Sequence, residues 1–403
     1  MSVQISDIEA ARARIRDWVY LSPSATSETF SRLTGCKVSF KLENLQMTGS
    51  FKERGALNRL LLLTPEERAR GVIAASAGNH AQGVSYHATR QQIKAQIVMP
   101  LTTPMTKVSA TRGYGAEVIL HGTNYDEAHH EAQRRCAAGG LTFIHPFDDD
   151  AVIAGQGTIG LELIEQNPYL DAVVVPIGGG GLIAGVACAV KETNPKIRVI
   201  GVQTARVPSM KESIAAGVPV QVPAATTIAE GIAVRRPGDR TFALVRRYVD
   251  DIVTVDEEEI ANAILLLLER EKTVAEGAGA APLAALVQRK IALDGKKVAV
   301  LIAGGNIDPT FLSRIIERGL VKDGRLSRFR LRVPDHAGAL ARLTAVIAAQ
   351  LANILEITHD RAYYGVNLGD SLVEVTLETR GPEHINELVA ALEKAGYRAE
   401  RVM

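Results

Sequence analysis

The chain has 403 residues, a formal net charge of +1, 46% hydrophobic residues and 23% charged residues. This length favours two domains, and this composition is ordinary for a soluble globular protein. Only 4% of the residues are aromatic and no long basic run is present, so neither nucleic acid nor an anionic membrane surface is indicated as a partner. Cys36, Cys136 and Cys188 lie far apart, lack metal-ligand spacing and fit a reducing, cytoplasmic location.

One uncharged stretch, residues 172–190, is nearly long enough to span a bilayer. Its five glycines and Pro176 instead favour a buried strand, a glycine loop and the start of a helix. The N-terminal segment lacks the apolar core of a signal peptide. We therefore expect no membrane span.

Residues 5–325 alternate short apolar runs with amphipathic segments. Most of the apolar runs are rich in Val and Ile and lack clean alternation, as is typical of parallel strands buried on both faces. The predicted strands are 38–42, 72–75, 95–99, 117–120, 172–176, 199–203 and 298–302. The helical patterns between them include 56–63, 80–90, 126–138, 158–166 and 257–271. Strands that alternate with helices predict an open α/β sheet.

The pattern changes near residue 320, where the polar segment 321–328 is predicted to be a linker between domains 1–320 and 329–403. After a first strand, Pro334 and Asp335 indicate a turn. The six segments predicted beyond the linker are 329–333, 339–350, 352–362, 371–379, 382–395 and 397–402. Their order, strand-helix-strand-strand-helix-strand, is that of the ferredoxin-like α+β motif.

The segment TGSFKERGA, residues 48–56, places Lys52 in the first turn of a predicted helix. Gly49 lets the backbone turn, and Ser50 is expected to cap the helix. A cation at a helix start opposes the helix dipole, whereas a neutral or imine-bound lysine of lowered pKa avoids that penalty. These features suit a Schiff-base lysine, but this segment alone favours a solvated lysine on an amphipathic helix.

Glycine-rich turns follow several predicted strands. SAGNHAQG, residues 76–83, leaves backbone N–H groups at a crevice where a helix begins, a position that favours anions such as a carboxylate. PIGGGGL, residues 176–182, has four glycines whose N–H groups can surround a phosphate without Cβ interference. AGGN, residues 303–306, is a further crevice turn, and AEGAGA, residues 275–280, opens a late helix.

Each turn alone is compatible with an ordinary strand-to-helix connection, with Asn79 as an N-cap. The four-glycine turn has no Walker lysine with Ser or Thr and no acidic residue placed for a ribose, which disfavours nucleotide-binding motifs. One lysine and several glycine-rich turns at one sheet edge suit a cofactor with one phosphate, one aldehyde and a flat ring.

The pieces SFKERGA, SAGNHAQG, VIAGQGTIGLE, PIGGGGLIAG and EGAGA resemble the threonine dehydratases (threonine ammonia-lyases), in order from about residue 5 to residue 318. These are fold-type II pyridoxal-phosphate enzymes related to serine racemase. The sequence from VIAGQGT to IRVIGVQ is most similar to their catabolic branch. The resemblance implies a tryptophan synthase β-like catalytic domain at 1–320, built of two open α/β subdomains, with the smaller one at about 48–150 inserted. It also implies pyridoxal 5′-phosphate as cofactor.

The resemblance further implies site residues. Lys52 would be the Schiff-base lysine and the base that takes the Cα proton, Phe51 would pack against the cofactor ring, and Asn79 would hydrogen-bond its 3′-oxygen. The backbone of Gly178, Gly179, Gly180 and Gly181 would hold the phosphate, and Gly231 would line the other edge of the cofactor. The substrate carboxylate would be received by Ser76, Ala77, Gly78, Asn79 and His80.

Residues 327–403 resemble an ACT regulatory domain. The family's effector loop then corresponds to Asp335, His336, Ala337, Gly338, Ala339 and Leu340. An amino acid bound there would shift activity through assembly or domain contacts. The alternative is a purely structural dimerisation module.

Three departures from the family pattern matter. Ala303 stands where relatives have a Ser or Cys that hydrogen-bonds the pyridine nitrogen, so no residue is assigned that role. Ala77 stands where serine racemase has its second acid/base serine, which disfavours racemisation. Gln203 and Ser209 stand at the racemase's acidic metal ligands, so no metal site is expected.

The implied function is deamination of L-threonine to 2-oxobutanoate and ammonia, and also of L-serine to pyruvate. The alternatives are a racemase-like enzyme, another hydroxy-amino-acid lyase, or a non-catalytic amino-acid sensor that retains the cofactor site. The expected partners are an amino-acid substrate, an amino-acid effector and further copies of the chain in a homodimer or homotetramer.

Overall fold

A computed structural model describes residues 3–361 and 369–402. The chain divides into two compact units, Met1–Ile307 and Asp308–Met403, each with its own hydrophobic core.

The large sheet of the first unit has six strands in the order β1-β2-β10-β7-β8-β9. Strand β1 is antiparallel to β2, and every other neighbouring pair is parallel. The strands are β1 (Ser24–Ser27), β2 (Lys37–Leu42), β7 (Ala172–Pro176), β8 (Arg198–Thr204), β9 (Asp251–Val255) and β10 (Lys297–Ile302). The central strands are buried along nearly their whole length, which explains their continuous runs of Val, Ile and Ala.

The smaller sheet has four parallel strands in the order β5-β4-β3-β6. They are β3 (Val72–Ala75), β4 (Ala95–Met99), β5 (Glu117–Leu120) and β6 (Thr142–Phe143). Helices cover the apolar faces of both sheets, as parallel sheets require. The helices are α1 (Ile5–Ile15), α2 (Glu28–Thr34), α3 (Lys52–Leu61), α4 (Pro65–Arg70), α5 (Asn79–Arg90), α6 (Met105–Gly113), α7 (Tyr125–Gly139), α8 (Asp150–Gln166), α9 (Gly181–Thr193), α10 (Ser209–Ala216), α11 (Asp239–Tyr248), α12 (Glu257–Leu266) and α13 (Gly277–Val287).

All seven strands predicted for this part of the chain are present, and the open α/β architecture is confirmed. The uncharged stretch 172–190 forms β7, the glycine loop and most of α9, as predicted. Within residues 3–361 and 369–402, no helix has the length and apolarity needed to cross a membrane. The helix predicted at 257–271 is α-helical only to Leu266 and continues as a π-helical turn over Leu267–Glu271.

The second unit begins with helix α14 (Pro309–Lys322) and continues into a four-stranded antiparallel sheet of order β12-β13-β11-β14. Its elements are β11 (Leu326–Pro334), α15 (Ala339–Ala349), β12 (Asn353–Asp360), β13 (Asp370–Glu378), α16 (Pro382–Lys394) and β14 (Ala399–Val402). The predicted strand-helix order is present, although residue 362 of the predicted third segment lies outside the described residues.

The segment 321–328 is not an extended linker. Helix α14 includes residues 321 and 322, and strand β11 begins at Leu326, so only three residues separate the two elements. The polar residues that suggested a linker occupy the end of a helix, a tight turn at Gly324 with φ of 67°, and the start of a strand. The boundary between the two compact units lies earlier, at Ile307 and Asp308.

Candidate active site

The predicted turns lie at the carboxyl ends of strands β2, β3, β7 and β10, where ligands bind in open α/β sheets. The turn before Lys52 is tied to the end of β10. Phe51 N–H donates to the Ala303 carbonyl at 3.0 Å, and Gly305 N–H donates to the Gly49 carbonyl at 2.9 Å. These bonds place the beginning of α3 beside the turn at residues 303–306.

Gly49 supplies the turn that the sequence predicted, with φ of 74°. The predicted Ser50 cap is wrong, because Phe51 is the N-cap residue of α3 and no side chain caps the helix. Ser50 instead forms a β-bridge with Gly304, and its buried Oγ has no hydrogen-bond partner in the part of the chain that the structure describes.

Lys52 is the first residue of α3, in the first turn, as predicted. Its Nζ donates a hydrogen bond to the Pro146 carbonyl at 2.8 Å. Burial lowers the pKa of Lys52 from 10.5 to about 8, and the nearby Glu276 charge only partly opposes this shift. Lys52 therefore has a larger neutral fraction at neutral pH than an ordinary lysine, and a lysine that forms an imine requires the neutral amine.

The four-glycine loop joins β7 to α9. Gly180 has φ of 98°, and the N–H groups of Gly178 to Gly181 have no acceptor among the described residues. A Cβ on Gly179 would lie 2.5 Å from the Phe147 ring, so this position admits only glycine without rearrangement. Phe147, which packs against Gly179, directly follows Pro146, whose carbonyl accepts the Lys52 hydrogen bond. The glycine loop and Lys52 therefore contact neighbouring residues of the same segment.

The segment from Ser76 to His80 connects β3 to α5. The N–H groups of Ala77, Asn79 and His80 have no acceptor among the described residues, and Gly78 N–H donates to Ser76 Oγ at 3.2 Å. The His80 imidazole is directed elsewhere, since its Nε2 lies 2.9 Å from the Ile144 carbonyl. Burial and the Lys52 charge lower the His80 pKa to about 3, so the ring is neutral. The donors that this segment leaves available to an anion are therefore backbone N–H groups.

Two residues that contact this site were assigned no role on the basis of the sequence. One is Pro146, through its carbonyl group. The other is Glu276, the N-cap residue of α13, whose Oε1 accepts a hydrogen bond from Asn79 Nδ2 at 2.7 Å. A carboxylate just before a run of small residues at a helix start was the available sequence signal.

The remaining predicted positions lie around this site. Gly231, in the 3-10 turn Glu230–Ile232, is exposed, and a Cβ there would lie 3.5 Å from Glu276 Oε1. Phe51 is partly buried against the large core. Gln203 and Ser209 contact the protein backbone: Gln203 Oε1 accepts from Lys211 N–H at 2.9 Å, and Ser209 Oγ donates to the Val234 carbonyl at 2.5 Å.

In the second unit, the segment 335–340 connects β11 to α15. Asp335 N–H donates to the Gly369 carbonyl at 2.8 Å, and the Asp335 carboxylate pairs with Arg361 at 3.0 Å. Gly338 has φ of 84° and precedes α15, whose first turn contains Ala339 and Leu340. Residues 335–338 are exposed.

A lysine of lowered pKa, linked through Pro146 and Phe147 to a glycine loop with free N–H groups, defines an enzyme site for an aldehyde cofactor that carries a phosphate. The family model "Pyridoxal-phosphate dependent enzyme" matches residues 15–305. The chain belongs to this family of pyridoxal-phosphate dependent enzymes. The residues present fit that cofactor, because the glycine loop offers unpaired donors to a phosphate and Lys52 offers a neutral amine to an aldehyde.

Individual relatives cover nearly the whole chain. The L-threonine ammonia-lyase of Thermotoga maritima is 48% identical over 400 residues, which are 99% of this chain and 100% of the relative. The L-threonine ammonia-lyase of Geobacter sulfurreducens is 50% identical over 391 residues, which are 97% of each chain.

Solved structures similar to this one include maize serine racemase and a threonine deaminase from Solanum lycopersicum. The racemase has a TM-score of 0.75 and 35% identity, over 80% of this chain and 99% of its own. The deaminase, the processed form of isoform 2, has a TM-score of 0.74 and 38% identity, over 78% of this chain and 91% of its own.

Proposed function

We propose that this enzyme deaminates L-threonine to 2-oxobutanoate and ammonia, and L-serine to pyruvate and ammonia, with pyridoxal 5′-phosphate held at Lys52. The observation that carries the proposal is the Lys52 amine, which has a lowered pKa and a hydrogen bond to the carbonyl of the residue before Phe147. The two L-threonine ammonia-lyases that match nearly all of the chain support this substrate class.

Each of the other predicted residues has a role in holding the reactants. The N–H groups of Gly178 to Gly181 bind the phosphate, and the Asn79 side chain binds the 3′-oxygen. Phe51 packs against the ring, and Gly231 lines the other edge. The segment of Ser76, Ala77, Gly78, Asn79 and His80 receives the substrate carboxylate, with the N–H groups of Ala77, Asn79 and His80 as donors. When bound, the cofactor supplies an aldehyde that condenses with the substrate amine and a ring that withdraws electron density from Cα.

Lys52 acts as the proton carrier at the substrate Cα. With Nζ donating to the Pro146 carbonyl, the lone pair of the neutral amine points away from that carbonyl and is available to take the Cα proton. The same carbonyl then stabilises the ammonium form that results. The β-hydroxyl takes up one proton and leaves as water, which balances the proton that Lys52 removes from Cα. A later addition of water releases ammonia, so that threonine yields one 2-oxobutanoate and one ammonia.

A 2-oxo-acid release assay over a panel of hydroxy amino acids tests this function. We expect L-threonine and L-serine to be consumed, Lys52→Ala to lose activity, and the visible absorbance of the bound cofactor to disappear in that variant. Lys52→Arg is the matched control that retains charge but not imine chemistry. Full activity and unchanged absorbance in Lys52→Ala would refute the assignment.

A racemase is the second candidate, because maize serine racemase has a similar structure. Ala77 opposes it, since a methyl group cannot carry a proton to the opposite face of Cα. Chiral analysis after incubation with L-serine separates the two, and D-serine formation that rivals pyruvate formation would favour the racemase. A non-catalytic sensor would bind the cofactor and release no 2-oxo acid.

We infer that the second unit is an ACT-like regulatory domain that binds an amino acid at Asp335, His336, Ala337, Gly338, Ala339 and Leu340. The strand-helix order, the left-handed Gly338 before α15 and the exposed loop support this inference. Calorimetric titration of isoleucine, valine, leucine and serine, with Gly338→Val as the comparison, tests it. No heat of binding and no kinetic effect for any of the four would refute simple amino-acid regulation.

We further infer a homodimer or homotetramer in the cytoplasm. If effector binding changes activity through subunit assembly, the enzyme must contain more than one copy of this chain. The three cysteines are free thiols, two of them buried, which fits a reducing compartment. Light scattering of the purified chain with and without the amino acids measures the assembly.

A further inference from the structure

Glu276 is an acidic side chain placed among the glycines of the candidate site. Its Oε1 lies 2.5 Å from the position that a Cβ on Gly304 would occupy and 3.5 Å from the corresponding position on Gly231. Its backbone N–H donates to the Gly304 carbonyl at 3.0 Å. Gly304 therefore leaves space that this carboxylate occupies, and a larger residue at Gly304 would displace it, whereas the carboxylate is only in ordinary contact range of Gly231.

A chain of hydrogen bonds determines how the neighbouring Asn79 amide is oriented. Asn306 Nδ2 donates to the Thr48 carbonyl at 2.7 Å, which only an amide nitrogen can do, and its second hydrogen goes to Asn79 Oδ1 at 2.8 Å. Asn79 Nδ2 therefore faces Glu276 and donates to it. This leaves one amide hydrogen of Asn79 for a ligand.

Charged groups from three other elements act on Glu276. They are Lys52 at the start of α3, Lys107 on α6 and Glu230 in the 3-10 turn. Lys107 and Glu230 pair with each other at 2.6 Å. Burial raises the Glu276 pKa to about 7, the Asn79 hydrogen bond and the two lysines oppose this shift, and Glu230 reinforces it. The carboxyl group therefore titrates in the neutral pH range.

We propose that Glu276 is a positioning residue that fixes the Asn79 amide with a single N–H toward the cofactor, and whose gain or loss of a proton changes the charge beside that contact. This inference rests on the proposed function, in which Asn79 contacts the cofactor's 3′-oxygen. In this proposal Glu276 acts on the cofactor through its hydrogen bond with Asn79. Its negative charge stabilises positive charge on the bound cofactor, so protonation of Glu276 alters the cofactor's absorbance and its electron demand.

The test is the visible absorbance of the cofactor-loaded protein between about pH 5.5 and about pH 9. The wild type is expected to show a transition within this range as Glu276 titrates. Glu276→Gln retains the hydrogen bond from Asn79 but has no proton to lose, so the transition should disappear. Glu276→Asp, which shortens the side chain but still titrates, should retain a transition at a different pH.

Two variants at residues that are not themselves assigned to the cofactor provide the sharper comparison. Glu230→Gln removes a charge that raises the Glu276 pKa, so the midpoint should move to lower pH. Lys107→Gln removes a charge that lowers that pKa, so the midpoint should move to higher pH. Midpoints that move in opposite directions in these two variants support the proposal. Midpoints that move in the same direction, or that stay unchanged in both variants, overturn it.

Borohydride reduction followed by mass analysis shows whether the cofactor is attached at Lys52 in each variant. A wild type with no adduct and no visible band overturns the proposed function and this inference together. A wild type with an adduct, and a pH transition that Glu276→Gln retains unchanged, overturns this inference alone.

Discussion

Arg54, two residues after Lys52 on α3, is the centre of a buried ion network whose removal we expect to destabilise the first unit. Its guanidinium makes four hydrogen bonds to two carboxylates: Nε and Nη2 bind Glu43 at 2.8 and 2.8 Å, and Nη1 and Nη2 bind Glu162 at 2.5 and 2.9 Å. The side chains of Arg54 and Glu43 are fully buried, and that of Glu162 is 8% exposed. Lys41 also binds Glu162, at 2.6 Å.

Replacing Arg54 by Met retains the volume of the side chain but leaves two buried carboxylates facing each other with fewer donors. Loss of one partner from a buried ion pair costs about 3–5 kcal/mol, because the charge that remains is buried and uncompensated. For a unit of this size that loss corresponds to a fall in Tm of roughly 5–8 °C. Burial raises the Glu43 pKa, but in the wild type the charges of Arg54 and Lys41 and the hydrogen bonds from Arg54 and Ser22 together outweigh burial and lower it, so the carboxylate is ionised at neutral pH.

The assay is urea unfolding followed by the fluorescence of the single tryptophan, Trp18, which lies in the first unit. Arg236→Met is the control, because its pair with Asp239 is exposed and should contribute less than about 1 kcal/mol. Adding Glu43→Gln to Arg54→Met should restore part of the stability, since a neutral amide replaces the unpaired charge. A loss below about 1 kcal/mol for Arg54→Met at neutral pH would refute the reasoning.

Three further predictions concern the site. As Lys52 loses its proton, the rate of cofactor loading should rise about fivefold from pH 7 to pH 8 and level off above about pH 9. A rate that still rises up to pH 10 in a spectroscopic time course would contradict the lowered pKa of Lys52. Gly179→Ala, whose Cβ would meet Phe147, should weaken cofactor binding at least about tenfold in an absorbance titration, whereas Gly113→Ala, in open space, should not. Folding raises the Glu276 pKa, so the cofactor-free wild type should lose stability as the pH rises from about 4.5 to about 7. Glu276→Gln should therefore be up to about 3 kcal/mol more stable than the wild type at pH 8, but not at pH 4.5. Equal urea midpoints of the two proteins at pH 8 would contradict this prediction.

The sheet of the first unit was predictable because its central strands are buried on both faces and read as short apolar runs bounded by glycines. The strands that were not predicted are short or only partly buried. Strand β1 is a four-residue edge strand of Ser, Ala and Thr, β6 has two residues, and β9 is only partly buried along most of its length. Such segments carry little hydrophobic signal, and tertiary pairing determines their conformation.

The candidate site was predictable where chemistry depends on residue type, as for Lys52 and the four-glycine loop. It was not predictable where a role depends on contacts distant in the chain. Pro146 acts through its carbonyl group, which every residue possesses, and Glu276 meets Asn79 only because α13 and α5 begin at the same place. The Ser50 cap was wrong for the same reason, since pairing with Gly304 determines the backbone of Ser50.

The pairing of β2 with β10 has a consequence for biosynthesis. Strand β2 ends at Leu42, and its partner β10 begins only at Lys297, yet the two lie side by side in register in the middle of the large sheet. During translation, the four-stranded sheet of residues 72–143 and the β1–β2 pair can form early, whereas β2 can pair with β10 only after nearly the whole first unit has emerged from the ribosome. The second unit follows β10, so its translation gives the nascent first unit time to close its sheet before the chain is released.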